Sequence, residues 1–347
     1  MPIVAYRGKI LLESVEESIS PPTFAGMGYA LHPRFIAGQK IDCVLLDSVA
    51  SQANRMEKTL GGVVPDIGVQ FGEEFYSRRL STLEMPHRVF DAILRDSEDQ
   101  GVRFGETEIG KEILDAEPHH AAALLKYSPA TLLFGGWNSD TFKQSRAAKF
   151  SRCLTAEIVG VDAVVGVRAG VRADPLNIMA NVGIKKGESD WDFGKGNKPS
   201  EINHGSAPWD SRSDGKGGVT VREIHLNVAI SVGTIRKLRF GTEEQTIAGQ
   251  TLVEQLALYV VAAQSDEGYT LRSGCSLFPV SGSLKPINSS ISSTNVPMAK
   301  DVRLKALEEA LEKARALGIG WDPDFEWTLN PTEKLRGLVV KSKSLEV

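Results

Sequence analysis

The residues whose types could do chemistry fall into a few groups along the chain. In "CVLLDSVASQANRME", Ser48, Ser51, Gln52 and Arg55 follow a spacing of 3, 1 and 3. On a helix that spacing puts them on one side, beside an apolar row of Val49, Ala53, Met56 and Leu60. Two hydroxyls, an amide and a guanidinium suit a sugar–phosphate backbone, which they can hold without reading bases. A plain solvated helix face has the same composition, and pattern alone does not separate the two. Lys143, Arg146, Lys149 and Arg152 recur every third residue with no acid among them. Along a helix they form a drifting basic stripe that is either solvated surface or a phosphate track. Residues 191–209 hold Trp191, Phe193 and Trp209 in a stretch of turn-like composition. They are either anchors of a small folded excursion or rings that stack on bases.

Catalytic signatures are sparse. There is no G-x-x-x-x-G-K-[ST], no H-E-x-x-H and no G-x-S-x-G. His119 and His120 are adjacent, so on a helix they point about 100° apart and make a poor joint metal site. Cys43, Cys153 and Cys275 are far apart with no C-x-x-C pair, which points to reduced thiols and away from a zinc site or disulfide framework. No cofactor or metal is expected.

The elements that must position these residues read as follows. "KIDCVLLD" (40–47) is a buried strand. "SVASQANRMEKTLGG" is a helix capped by Ser48 or Asp47 and ended by Gly61 and Gly62. Residues 63–127 are expected to be a helix-rich insertion, with helical spacing in "PHRVFDAILRDS" and "TEIGKEILDAE". "ATLLFGG" (130–136) reads as a strand ending in a Gly-Gly-Trp turn, and "TAEIVGVDAVVGVR" as extended. Residues 183–220 are too long for an ordinary connection, and such loops are usually functional or disordered. "VREIHLNVAISVGTI" alternates apolar and polar residues as a long strand. "TLVEQLALYVVAAQ" is a buried helix and "GYTLRSGCSLFP" is strand-like. A Ser-rich loop (281–294) then leads to the amphipathic helix "DVRLKALEEALEKARALG". The order predicts an α+β fold with a ferredoxin-like or RNA-recognition-type core.

The 347 residues allow one elaborated domain or two ordinary ones, and 41% hydrophobic content permits a sizeable core. The net charge of −4 is not that of a generally basic nucleic-acid binder. Its distribution is uneven. Residues 73–117 hold 12 acids and 6 bases, residues 141–240 hold 16 bases and 10 acids, and a basic groove does not need a basic whole. No run of 18 apolar residues and no signal-like start is present, so no membrane partner and a cytoplasmic location are expected.

Four blocks, "VLLDSVASQANRMEKTL", "ALLKYSPATLLFGGWNS", "PSEINHGSAPW" and "LRSGCSLFP", resemble the RAMP-superfamily protein that forms the crRNA-binding backbone of type I CRISPR–Cas effector complexes (Cascade). The resemblance is nearest to the subtype I-G version, formerly I-U. It implies a modified RNA-recognition-type (RRM) palm with fingers and a thumb. Copies would stack in a helical filament along the crRNA. The target DNA strand would pair with the guide, and each thumb would interrupt the duplex. Further partners would be a large subunit and a fused repeat-processing and cap subunit. Such a protein is not an enzyme.

Carried onto this chain, the resemblance divides it into palm (1–62), fingers (63–127), palm strands (128–182), thumb (183–220) and palm with C-terminal helix (221–347). Ser48, Ser51, Gln52, Arg55 and Lys58 would grip the guide, helped by Lys143 and Arg146. Asn203 and His204 would lie near the RNA. Trp191, Phe193, Ile202 and Trp209 would be candidate wedges. Many relatives carry a glycine-rich loop at "LRSGCSLFP". This one is glycine-poor, so weight shifts to Arg272 and Ser273. Asp47 then reads as a helix cap. The alternative is a guide-dependent, metal-dependent ribonuclease using Asp190 or Asp192.

Overall fold

Period-two alternation in "AYRGKILLES" builds the strand about which the protein is organised. Tyr6, Gly8, Ile10 and Leu12 are buried, while Arg7, Lys9 and Glu13 face outward. In this computed structural model, which describes residues 3–23, 28–138, 148–187, 189–210, 217–288 and 295–343, that strand is an interior strand, third in order, of a seven-stranded sheet. Its strands are β1 (Ala5–Ser14), β2 (Leu31–Ile36), β3 (Gln39–Asp47), β4 (Leu154–Val161), β5 (Glu223–Ser231), β6 (Tyr269–Arg272) and β7 (Cys275–Ile287). The order is β6-β7-β1-β5-β4-β3-β2, with every neighbouring pair antiparallel.

Within it, β7-β1-β5-β4 is the 4-1-3-2 order of a ferredoxin-like core. Helix α1 (Val49–Lys58) lies between its first and second strands, and helix α3 (Glu243–Glu267) between its third and fourth. The predicted α+β class and core hold, but 40–47 is not the first core strand. It is β3, added outside β4, and the first core strand is β1, in a stretch to which the sequence reading assigned no element.

The core fills one side of the sheet. Leu226, Val228 and Ile230 of β5 pack with Leu46, Met56, Leu252, Leu256 and Val260. By length and composition α3 could cross a bilayer, but 67% of its apolar window is buried inside the fold.

Three expectations fail for local reasons. Residues 130–136 are not a strand. Pro129 opens helix α2 (Pro129–Phe134), buried throughout, and a short apolar run cannot be assigned by periodicity. Residues 63–127 are only partly helical: Ala92–Arg95 and Glu108–Leu114, inside the two runs read as helical, and Ala122–Tyr127 are helices. Asp66–Gln70, Arg79–Ser81, Ser97–Asp99 and Val102–Arg103 are strands, joined by Glu326–Pro331 in a five-stranded sheet. Its central pairing, Glu326–Leu329 alongside Asp66–Val69, is parallel and comes from the far end of the sequence. The Trp321 indole, fully buried, seals that return by donating to the Val63 carbonyl at 2.9 Å. Residues 281–287, read as loop, continue β7. Helix α4 (Lys300–Ala316) matches expectation and is followed by a further helix, α5 (Glu333–Lys343).

A buried ion pair locks α1 to the 63–127 region. Arg88 chelates Glu57 through Nε and Nη2, donates Nη1 to the Gly135 carbonyl at 3.0 Å, and lies over the Phe134 ring. Burial pushes the Glu57 carboxyl above its ordinary range, against the pull of Arg88.

Between β4 and β5 the chain leaves the sheet as an arm. Val164–Val165 pairs with Val219–Thr220, Ala169–Arg172 with Ala207–Asp210, and Ile184–Lys186 with Trp191–Phe193 at its hairpin tip. The excursion therefore begins nearer 162 than 183. Residues 163–168 belong to the run read as extended, but Val164 and Val167 are exposed, as are Val171, Leu176 and Met179 beyond it.

Candidate nucleic-acid interface

The α1 row is the first test of the sequence reading. Ser48 is the N-cap, accepting from the Ser51 amide at 3.2 Å, so Asp47 is not the cap. Asp47 is buried and carries the rest of the row. Its Oδ2 accepts from Gln52 Nε2 at 2.6 Å and from Arg55 Nε at 2.9 Å. Gln52 is 0% exposed and therefore cannot touch a ligand. Arg55 spends its remaining donors on the Thr270 and Leu271 carbonyls of β6, at 3.0 and 3.4 Å. The row thus clamps α1 to β3 and β6. Ser51 and the edge of Arg55 stay partly accessible, and Lys58 is exposed.

The 271–275 stretch is no phosphate cradle. Ser273 and Gly274, with φ +76° at Gly274, make the two-residue turn of the β6–β7 hairpin. Arg272 and Ser273 are exposed beside the end of α1. Arg272 donates to the Pro21 carbonyl at 3.2 Å, and the Ser20 amide donates to the Gly274 carbonyl at 2.7 Å.

Lys143 and Arg146 lie outside the described residues. Of the basic stripe, Lys149 is in an extended strand, Ala148–Phe150, and Arg152 donates Nε to the Phe134 carbonyl at 3.1 Å. A helical stripe is therefore not formed at those two positions.

The arm tip gathers three rings. Trp191 (40% exposed) and Phe193 (75%) sit one pleat apart and meet edge-on at 5.6 Å, and His204 packs against Trp191 at 6.0 Å. Asn203 is exposed in the left-handed conformation that ends the Pro199–Ile202 turn, and Ile202 is half-buried. Trp209 lies in the Ala207–Asp210 strand, with its side chain outside the described residues. Asp190 and Asp192 are exposed, each accepting the amide of the next residue. Among the described residues no three His, Cys, Asp or Glu side chains converge as a metal site.

The surface that sequence reading missed is the second side of the main sheet. Register makes two rungs across four strands. The first is Lys285, Arg7, Ala229 and Thr155. The second is Ser283, Lys9, Asn227 and Glu157. Arg7, Lys9, Ala229 and Lys285 are exposed, and a groove of about 580 Å³ runs along Arg7, Lys9, Arg34, Thr155, Glu157 and Asn227. Among the described residues Arg7, Lys9 and Lys285 make no salt bridge.

Two acids beside the rungs are already held, while Glu13 stands exposed further along β1. Glu157 takes Arg34 bidentately at 2.7 and 3.0 Å, and those bonds hold its carboxyl below the usual range. His32 Nε2 accepts from Arg34 Nε at 2.6 Å, fixing the guanidinium plane. Glu223 receives His225 Nε2 at 2.7 Å, which lowers its carboxyl in turn. Apart from Ala229 and the paired Glu157, the two rungs contain cations, hydroxyls and an amide, with no aromatic ring. Such a surface binds phosphate and sugar and is indifferent to base identity. The signal was present in the sequence as the odd-numbered positions of "AYRGKILLES".

The thiols take no part. All three cysteines are free and buried, and burial pushes Cys153 and Cys275 up to about 12.

Comparison with known proteins adds a partial family match. Residues 12–165 match the family model described as CRISPR-associated protein GSU0053. No curated protein matches. Among solved structures, the crystal structure of Thermofilum pendens Csc2 is similar over 97% of this chain and 80% of that chain, with 11% identity and a TM-score of 0.28.

Proposed function

We propose that this chain is the crRNA-binding backbone subunit of a type I-G CRISPR interference complex in the cytoplasm. Copies oligomerise along the guide and present it for pairing with target DNA, beside the large subunit and the fused repeat-processing and cap subunit. The carrying observation is the pair of rungs without aromatic rings on which Arg7, Lys9 and Lys285 stand without salt bridges among the described residues, next to Thr155, Ser283 and Asn227. A guide-holding scaffold must accept any sequence, and a surface of phosphate-binding groups does that. The family match over residues 12–165 and the resemblance of the four sequence blocks support the CRISPR context.

The accessible edge of the α1 row, Ser48, Ser51, Arg55 and Lys58, lies with Arg272 and Ser273 as a second contact zone. The exposed rings of the arm tip, Phe193 foremost, are suited to stacking on or parting bases. The exposed apolar residues of the arm suit contact with a neighbouring copy or subunit. On this reading the subunit cuts nothing.

The test is purification of the chain after co-expression with a repeat–spacer RNA. Expected is a multimer with the absorbance ratio of a nucleoprotein, whose bound RNA sequences to the guide and stays intact, along with added complementary RNA, in magnesium. Protein free of RNA refutes the scaffold. Magnesium-dependent cleavage lost in Asp190→Ala or Asp192→Ala establishes the ribonuclease alternative.

A further inference from the structure

Trp137 is a large ring that the fold leaves 62% exposed. It lies in the strand Gly136–Asn138, paired with Ala148–Phe150, directly across from Lys149, which is also exposed. Alternation sends their neighbours the other way. Phe150 is buried and stacks on Phe90 at 6.2 Å, and buried Asn138 donates Nδ2 to the Leu114 carbonyl at 3.3 Å. The approach is fixed as well. Arg88 and Arg152 hold the carbonyls of Gly135 and Phe134, and Gly135 turns at φ +82°. A Cβ at Gly136 would come within 2.7 Å of Thr131 and 3.0 Å of the Phe90 ring, so the strand lies flush on its support. The hairpin is riveted from behind, and its outer side offers one indole and one ammonium. Among the described residues Trp137 has no ring contact and Lys149 no salt bridge.

We propose that Trp137 and Lys149 form a stacking site for single-stranded nucleic acid, the indole taking a base face and Lys149 an adjoining phosphate. A flat ring beside a cation matches that ligand on both counts, and stacking of this kind tolerates any base. The backbone that carries the ring is held, so binding has only the indole side chain to order. Continuity with the sheet side supports the assignment. Lys149 precedes Thr155 of the first rung by six residues, a reach of at most about 20 Å. The site rests on the reading of that side as a nucleic-acid track, and it marks where the strand passes beyond β4.

The experiment is anisotropy of a fluorescein-labelled 20-nucleotide single-stranded RNA of mixed sequence with the RNA-stripped chain. Compared are the wild type, Trp137→Ala, Trp137→Phe, Lys149→Ala and the Arg7→Ala/Lys9→Ala/Lys285→Ala variant. Trp137→Ala is expected to bind about tenfold more weakly, from the usual worth of one stacked base. Trp137→Phe should retain most of the affinity, and Lys149→Ala should lose several-fold. Wild-type affinity in Trp137→Ala, with binding still weakened in the triple variant, overturns the stacking site and leaves the track intact. Unchanged RNA binding with smaller assemblies on sedimentation also overturns it, and makes this face a protein contact. No binding by the wild type removes the track and the stacking site together.

Discussion

Removing Arg7, Lys9 and Lys285 together separates a phosphate track from a decorative surface. All three are exposed and without salt bridges among the described residues, so Arg7→Ala/Lys9→Ala/Lys285→Ala should fold with an unchanged Tm. Each cation that neutralises a single-strand phosphate contributes about 0.7 to the slope of log K against log salt. Three lost contacts flatten the slope by about 2. Between roughly 50 and 200 mM salt, the wild type should therefore lose about 20-fold more affinity than the variant loses. The assay is titration of a labelled RNA at four or five salt concentrations, with wild type and variant in parallel. The loss should be uniform across RNA sequences, because the rungs carry no group that selects a base. An identical slope and affinity in the variant refutes the assignment of the sheet side. A variant whose loss depends on RNA sequence refutes the claim that this side holds only the backbone.

Three further outcomes follow from the buried and paired charges. Arg88→Met leaves Glu57 buried without its partner, so denaturant unfolding should show a loss of about 3–5 kcal/mol. Adding Glu57→Gln to it should recover part of that loss. Arg55→Ala strips Asp47 of one charged donor and frees two β6 carbonyls, costing about 1.5–3 kcal/mol in the same assay. It should therefore lower stability as well as any RNA affinity. Arg34 depresses the Glu157 carboxyl, so their pairing contributes fully above the unfolded value of about 4.3 and is lost as pH falls through the lower folded value. Glu157→Gln should flatten that acid limb in a series of Tm against pH, and an unaltered limb would show that the pair does not contribute.

The fold class was legible because most of its elements carry a clean period. β5 alternates, α1 and α4 repeat at helical spacing, and α3 is apolar all round as a buried helix must be, while the alternation of β1 went unread. Failures fall where the period is too short to read. "ATLLFGG" is a one-turn-scale apolar run, and burial on all sides erases the difference between strand and helix. The five-stranded sheet was invisible for another reason. Its strands are two to six residues long, and the one that unites them comes from Glu326–Pro331, more than 200 residues away. Local propensity carries no record of such a partner.

The site shows a sharper limit, on the direction in which a polar side chain points. Gln52 and Arg55 have the composition of a phosphate grip, yet both turn to Asp47, which the sequence offered as a cap. A buried carboxylate demands donors, so it organised the row from the inside. Arg7 and Lys9 look less purposeful in isolation, but a strand settles their direction. With Tyr6, Gly8 and Ile10 committed to the core, their neighbours have only the other side of the sheet to occupy. There β5 and β7 supply Asn227, Lys285 and Ser283 in register. A helix face leaves the orientation of its polar residues to the tertiary partner, whereas a strand beside a filled core does not. That asymmetry is why the α1 row, conspicuous in the sequence, became a clamp, while the plainer alternation of β1 carries the stronger case for contact with RNA.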